Sequence, residues 1–177
     1  MYIERQLEKK FVAINEEYAC VLLTGPRQVG KSTMLRHLME GTARAEVPLD
    51  DLEERRLAKT DPAMFLKLHP APVLIDEVQY APELFSYIKI AVDNGAAPGS
   101  YWLTGSQAYR LMELAQESLA GRTAILHMSA LSQSELCGAM EVSPFSLELD
   151  ELQKRKAVLS PATPKEIYQL IWDGALP

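Results

Sequence analysis

Cysteine and histidine are scarce in this chain, and neither is spaced for cross-linking or for metal. The two cysteines, Cys20 and Cys137, have no CxxC spacing and too few partners for a disulfide framework. Both read as core-filling residues, and a reducing cytoplasmic setting suits them. His37, His69 and His127 share no metal-ligand spacing, which argues against a structural zinc. No apolar run approaches the ~20 residues that cross a bilayer. The opening MYIERQLEKK carries charge of both signs from its fourth residue, unlike a secretory signal, so no membrane partner is expected. Positive charge is not in excess either. A net charge of -6 argues against a whole-domain basic surface for nucleic acid and leaves room only for a local patch. Internal repeats and low-complexity tracts are also missing.

What is present suits one core: 177 residues fill one ordinary domain and fall short of two. Short apolar runs alternate with helical patterns along most of the chain. ACVLLT at 19–24 reads as a strand buried on both faces, and KSTMLRHLMEG from Lys31 puts Met34, Leu35, Leu38 and Met39 at helical spacing, with Gly41 as the stop. ARAEVPL at 43–49 is a weaker strand, and Asp50 or Asp51 caps a helix starting near LEERRL. PVLIDE at 72–77 is a strand followed by a helix opening at Pro82. SYWLTG at 100–105 and the segment from Thr123 supply two more strands, around a helix over 109–119. This alternation predicts an α/β three-layer fold, with a mostly parallel five-stranded sheet, helices on both faces and ligands at the carboxyl ends of the strands.

Beyond Ala130 the pattern weakens to a helix around LSQSELCGAM and a charged segment near ELQKRK. Thr163, Pro164 and Glu166 then make a capping box for a last helix. We divide the chain into a core over 1–142, with an N-terminal helix, and a connecting helical segment over 143–177. GALP follows directly on an apolar face at Trp172, from which a further C-terminal portion is expected.

The segment Gly25-Pro26-Arg27-Gln28-Val29-Gly30-Lys31-Ser32 satisfies G-x-x-x-x-G-K-[ST] in full, between a predicted strand and a predicted helix. Its glycines permit the tight turn. Its backbone N–H groups, continuing to Thr33, with the positive end of the following helix, form a phosphate cradle. Lys31 is expected to reach the β and γ phosphates of a nucleotide, and Ser32 to ligate magnesium. Arg27 reads either as a phosphate contact or as a surface arginine.

Val73-Leu74-Ile75-Asp76-Glu77 brings two carboxylates to the same sheet edge. Asp76 is expected to hold magnesium, directly or through water, and Glu77 to orient and activate an attacking water. Ser106, or in second place Thr104, ends the next strand where a polar group can sit between the γ phosphate and that water; the plain alternative is a turn that caps the next helix. Arg122 reads as a finger donated to a neighbouring subunit's γ phosphate, or as a solvated arginine after a helix end. Asp50 and Asp51 are read as caps rather than magnesium neighbours. A guanine-reading [NT]-K-x-D segment is missing, which favours ATP over GTP.

GPRQVGKS, LIDEVQ, LTGSQ and ESLAGR, in this order, resemble the prokaryotic AAA-family ATPases that carry a second C-terminal domain of unknown function. The resemblance covers nearly the whole chain, with DGALP a loose match to the family's junction into that second domain. It implies the AAA+ sheet order 5-1-4-3-2, Walker A at Gly25 to Ser32, Walker B at Asp76 and Glu77, sensor 1 near Ser106 and the arginine finger at Arg122. The activity it implies is magnesium-dependent ATP hydrolysis, with ATP and ADP as ligands and a homo-oligomer as the assembly. A nucleotide-gated switch with little turnover is the alternative. A small-molecule kinase is disfavoured, because no arginine-rich lid is seen.

Overall fold

The computed structural model describes residues 2–106, 111, 119–136, 138, 147–158 and 163–173. Five strands form one sheet: β1 Cys20–Thr24, β2 Ala45–Pro48, β3 Val73–Asp76, β4 Tyr101–Gly105 and β5 Thr123–His127. Every pairing is parallel and the order is β2-β3-β4-β1-β5, the implied 5-1-4-3-2 read from the other side. β1 is an interior strand between β4 and β5, with Cys20 opposite both Tyr101 and Thr123. Pro48 ends the edge strand β2, where a missing N–H costs the ladder little.

Successive side chains of a strand point to opposite faces, and β1, β3 and β4 are buried on both. Cys20 and Leu22 of β1, with Ile75 and Leu103, join a cluster completed by Phe65, Phe85 and Ile88. Phe65 comes from α4 (Pro62–Leu68) and Phe85 and Ile88 from α5 (Leu84–Asp93), while α3 (Leu52–Thr60) adds Ala58. Val21 and Leu23, with Leu74 and Trp102, face Phe11, Met34 and Leu35. These belong to α1 (Leu7–Asn15) and α2 (Lys31–Met39). Phe11 meets the Trp102 ring edge-on, with centroids 4.9 Å apart. The result is the predicted three-layer sandwich.

The sequence reading gave one helix after β2, and the structure has two. Asp51 caps α3 by accepting from the N–H groups of Glu53 and Glu54. Asp61 then starts α4 by accepting from Met64 N–H, with Pro62 at the first helical position. Such an Asp-Pro pair restarts a helix because proline suits the first turn, where its missing N–H has no partner to lose.

Of the helix expected over 109–119, only Leu111 and Leu119 are described; both are buried. Cys137 and most of the LSQSELCGAM tail lie outside the described residues, leaving α6, Gln133–Leu136. Farther on come α7 (Leu149–Val158) and α8 (Pro164–Asp173). The Thr163 and Glu166 box forms as expected, with Thr163 N–H donating to Glu166 and Glu166 N–H to Thr163 Oγ1. DGALP beyond Asp173 lies outside the described residues. No helix among the described residues is long and apolar enough to cross a membrane.

Candidate functional site

The segments that follow β1, β2 and β3 line a cavity of about 460 Å³ at the carboxyl edge of the sheet. One wall is the loop from β1 to α2, contributing Arg27, Gln28, Gly30, Lys31, Ser32 and Thr33; Asp50, Glu77 and Tyr80 face it. The loop's path depends on unusual backbone. Gly30 has φ 92° at the N-cap of α2, and Gln28 has φ 63°, a left-handed setting that a side chain adopts only at a cost of about 1–3 kcal/mol. Gly25, at φ 151°, passes so close to β5 that a Cβ would run into the Met128 carbonyl.

No side chain caps α2, and no acidic residue stands in its first turn. Its free N–H groups and positive end therefore face the cavity as an anion cradle.

Lys31 is buried, and its Nζ donates to the carbonyls of Pro26 at 2.7 Å and Gly25 at 3.1 Å. Burial pushes the ammonium below its ordinary pKa, while the carboxylates of Glu77 and Asp76 pull it back up. Ser32 Oγ donates to Asp76 at 2.9 Å. The Asp76 carboxylate also accepts a short hydrogen bond from Thr104 Oγ1, a fully buried hydroxyl that in turn accepts Glu77 N–H at 3.2 Å.

Glu77 turns out of β3 in a left-handed conformation, φ 57°. Its Oε2 accepts from Ser106 Oγ at 3.3 Å and, in a short bond, from Gln79 Nε2. Thr104 and Ser106 therefore have different partners, Thr104 meeting Asp76 and Ser106 meeting Glu77.

Magnesium prefers oxygen donors, usually one or two carboxylates completed by phosphate and water. Ser32 Oγ beside the Asp76 carboxylate is such a donor set. Among the described residues no group of three His, Cys, Asp or Glu is placed to hold a metal ion.

Not every sequence-predicted residue comes to this edge. Val29 turns its side chain into the core between sheet and α2. Asp51 caps α3, whereas Asp50 does not: it lines the cavity, with Arg55 3.6 Å away. Reading both as caps was thus half right, since one aspartate suffices for the exposed N–H groups of α3.

Arg122 precedes β5 and so lies at the opposite, amino edge of the sheet, paired with Asp93 and donating to the Ala120 carbonyl. His37 and His127 stay apart from the cavity lining, and His69 pairs with Glu54 at 2.8 Å.

Two participants escaped the sequence reading. Gln79 is one. Arg5 is the other: its guanidinium is buried and donates to Val29 O at 2.7 Å, Ser129 O at 2.8 Å and Glu135 at 3.0 Å. Arg5 thus fixes a loop carbonyl from outside the motif. Burial pushes Glu135 up, but the N–H groups of Ser132 and Gln6 and the Arg5 charge outweigh it and hold the carboxyl below its usual range.

Residues 17–137 match the AAA domain family, more than half of the chain. The chain belongs to that family. The AAA domain also resembles two mycobacterial proteins, uncharacterized protein Rv2008c of Mycobacterium tuberculosis and uncharacterized protein Mb2031c of Mycobacterium bovis. Each is 40% identical over 116 residues, which is 63% of this chain and 25% of the relative. The AAA domain thus spans about a quarter of the length of those relatives.

Among solved structures it is similar to the Walker-type ATPase PABY2304 of Pyrococcus abyssi, at TM-score 0.59 and 18% identity, covering 90% of this chain and 60% of that one. It is also similar to the RuvB Holliday junction branch migration motor of Thermotoga maritima, at TM-score 0.50 and 20% identity, covering 77% and 49%. At those identities the likeness shows the P-loop ATPase fold of the AAA domain and nothing finer.

Proposed function

We propose that this AAA domain binds ATP with magnesium and hydrolyses the β–γ phosphoanhydride, linking nucleotide state to a conformational change. The observation that carries the reading is the convergence of loop and carboxylates on one sheet edge, with Ser32 Oγ 2.9 Å from Asp76. In this reading the backbone from Gly25 to Thr33 cradles the phosphates, and Lys31 exchanges its two loop carbonyls for β and γ oxygens. Ser32 and Asp76 hold the magnesium, which when bound neutralises charge on the phosphate oxygens. Glu77 orients a water in line with the γ phosphorus and accepts its proton, and Ser106 fixes the geometry between them. Thr104 holds Asp76 in place. ATP rather than GTP is assigned on the missing guanine-reading segment, and the cytoplasm on the absence of a disulfide pattern.

Arg122 stands at the amino edge of the sheet, so a role on phosphate requires a second copy of the chain. We assign it to that role in trans within a homo-oligomer. One observation favours the slower alternative, a nucleotide-gated switch: Lys31 and Glu77 are both engaged by groups of the protein itself.

Calorimetry with ATP, ADP and GTP plus magnesium, alongside phosphate release, tests the reading on the chain and its Lys31→Ala variant. Removing charge-assisted contacts to phosphate is expected to cut ATP affinity at least ~100-fold. Affinity that survives Lys31→Ala overturns the site. Glu77→Gln is expected to retain ATP without releasing phosphate; negligible phosphate release by the unaltered chain and the variant alike favours the switch.

A further inference from the structure

Glu77 is hydrogen-bonded to a neighbour, the last residue of LIDEVQ, which carries no role in the sequence reading. Gln79 lies on the single helical turn Val78–Tyr80 directly after it and is 5% exposed, where glutamine is usually a surface residue. Its Nε2 donates to Glu77 Oε2 in a short bond and reaches Ser106 Oγ at 3.3 Å, while Ser106 Oγ itself lies 3.3 Å from the same carboxylate oxygen. Three side chains from the end of β3, the following turn and the end of β4 close a triangle.

Charge fixes the sense of the amide, because turning it over would set Oε1 against the carboxylate. Its Oε1 then has no hydrogen-bond partner among the described residues, a costly state for a buried acceptor. The neighbouring strand also makes room for it: at Gly105 a Cβ would overlap Gln79 Oε1 and a methyl of Leu111. A leucine or methionine would fill this space without an unpaired acceptor. Packing alone therefore does not account for an amide here.

We propose that Gln79 is a positioning residue that aims the Glu77 carboxylate and ties it to Ser106, so that the water-activating group and the γ-phosphate neighbour move together. The inference rests on the ATPase reading above and deepens it. Gln79 does not line the cavity, so its loss acts on turnover and not on nucleotide affinity.

The test is steady-state hydrolysis and calorimetric ATP binding on the chain with Gln79→Ala, Gln79→Leu and Gly105→Ala, each also combined with Glu77→Gln. A positioned general base contributes about 10²–10⁴-fold, and losing its aim is expected to cost about 10–100-fold in kcat. ATP affinity stays within about twofold. Gln79→Leu, which keeps the volume, loses kcat like Gln79→Ala, and Gly105→Ala follows by displacing the amide. Adding Gln79→Ala to Glu77→Gln slows hydrolysis no further, since the aimed group is already gone.

Full kcat in both Gln79 variants, a loss that multiplies with Glu77→Gln, or a loss carried by affinity overturns the proposal while leaving the ATPase reading intact. A chain that binds ATP but releases no phosphate overturns both.

Discussion

The two edges of the sheet both bury polar groups, but they satisfy them in opposite ways. At the amino edge the partners are fixed backbone and rings. Arg44 donates to Gly99 O at 2.6 Å and Val73 O at 3.3 Å and lies 3.8 Å over the Trp102 ring, and burial lowers its pKa to about 10. Trp102 in turn donates to Asn15. At the carboxyl edge, hydroxyls and an amide hold two carboxylates, and Lys31 bonds carbonyls of its own loop. In the proposed reaction those partners are exchanged for phosphate oxygens and a metal, whereas the ones below are part of the frame. The contrast teaches where to expect stability and where to expect chemistry.

Arg5→Ala is expected to have the largest effect on stability and to cut across the contrast. It strips a buried charge of its partner, which typically costs ~3–5 kcal/mol, and it also releases Val29 O of the loop. Urea unfolding should show the first effect and calorimetry a weaker ATP affinity; a stable variant with unchanged affinity would confine Arg5 to neither edge.

The same pair sets a pH dependence. The folded pKa of Glu135 lies below the ordinary ~4.3 of glutamate, so its stabilisation is fully present above that value and is lost as pH falls through the folded pKa. Glu135→Gln is therefore most destabilising near neutrality, and its deficit should shrink in acid.

Next in size is Arg44→Ala, expected to cost about 2–3 kcal/mol from lost charged hydrogen bonds and ring contact without changing ATP affinity. A change in affinity would break the division between edges. Arg122→Ala is the smallest. Its pair with Asp93 is about 38% and 43% exposed, so stability should change by ~0–1 kcal/mol. If hydrolysis nevertheless falls, and wild-type protein added to the variant restores part of it, the role in trans holds.

Much of this was legible from the chain itself. The loop and the Asp76–Glu77 pair are local patterns, and each sits on a strand end that its apolar run announces. The strand order came from family likeness, not from periodicity. Arg5 was not legible, because its meaning lies in Glu135, 130 positions away, and an arginine near a terminus carries no sign of burial. Gln79 was hidden for a related reason: its partner Ser106 is brought by a different strand. Thr104 and Ser106, two positions apart, share one side of the strand, and the residues themselves do not show that Thr104, inside β4, meets Asp76 while Ser106, just past its end, meets Glu77. The second helix after β2 was missed because Asp61-Pro62 interrupts a continuous helical composition by a single cap.

The interior position of β1, between β4 and β5, also governs how the molecule can be made. Cys20 lies between Tyr101 and Thr123, so the strand that ends in the phosphate loop is synthesised early and acquires its second neighbour only when Thr123–His127 emerges. Until then one row of backbone groups on an apolar strand stays unpaired even after Tyr101–Gly105 has docked on the other side, a condition that favours slow, nonlocal closure and invites association with other chains. Gly25 is seated against Met128, so the loop itself is completed only by the residue that follows β5, far along the chain from it. A nascent chain halted before that point would carry the whole motif and still have no finished cradle.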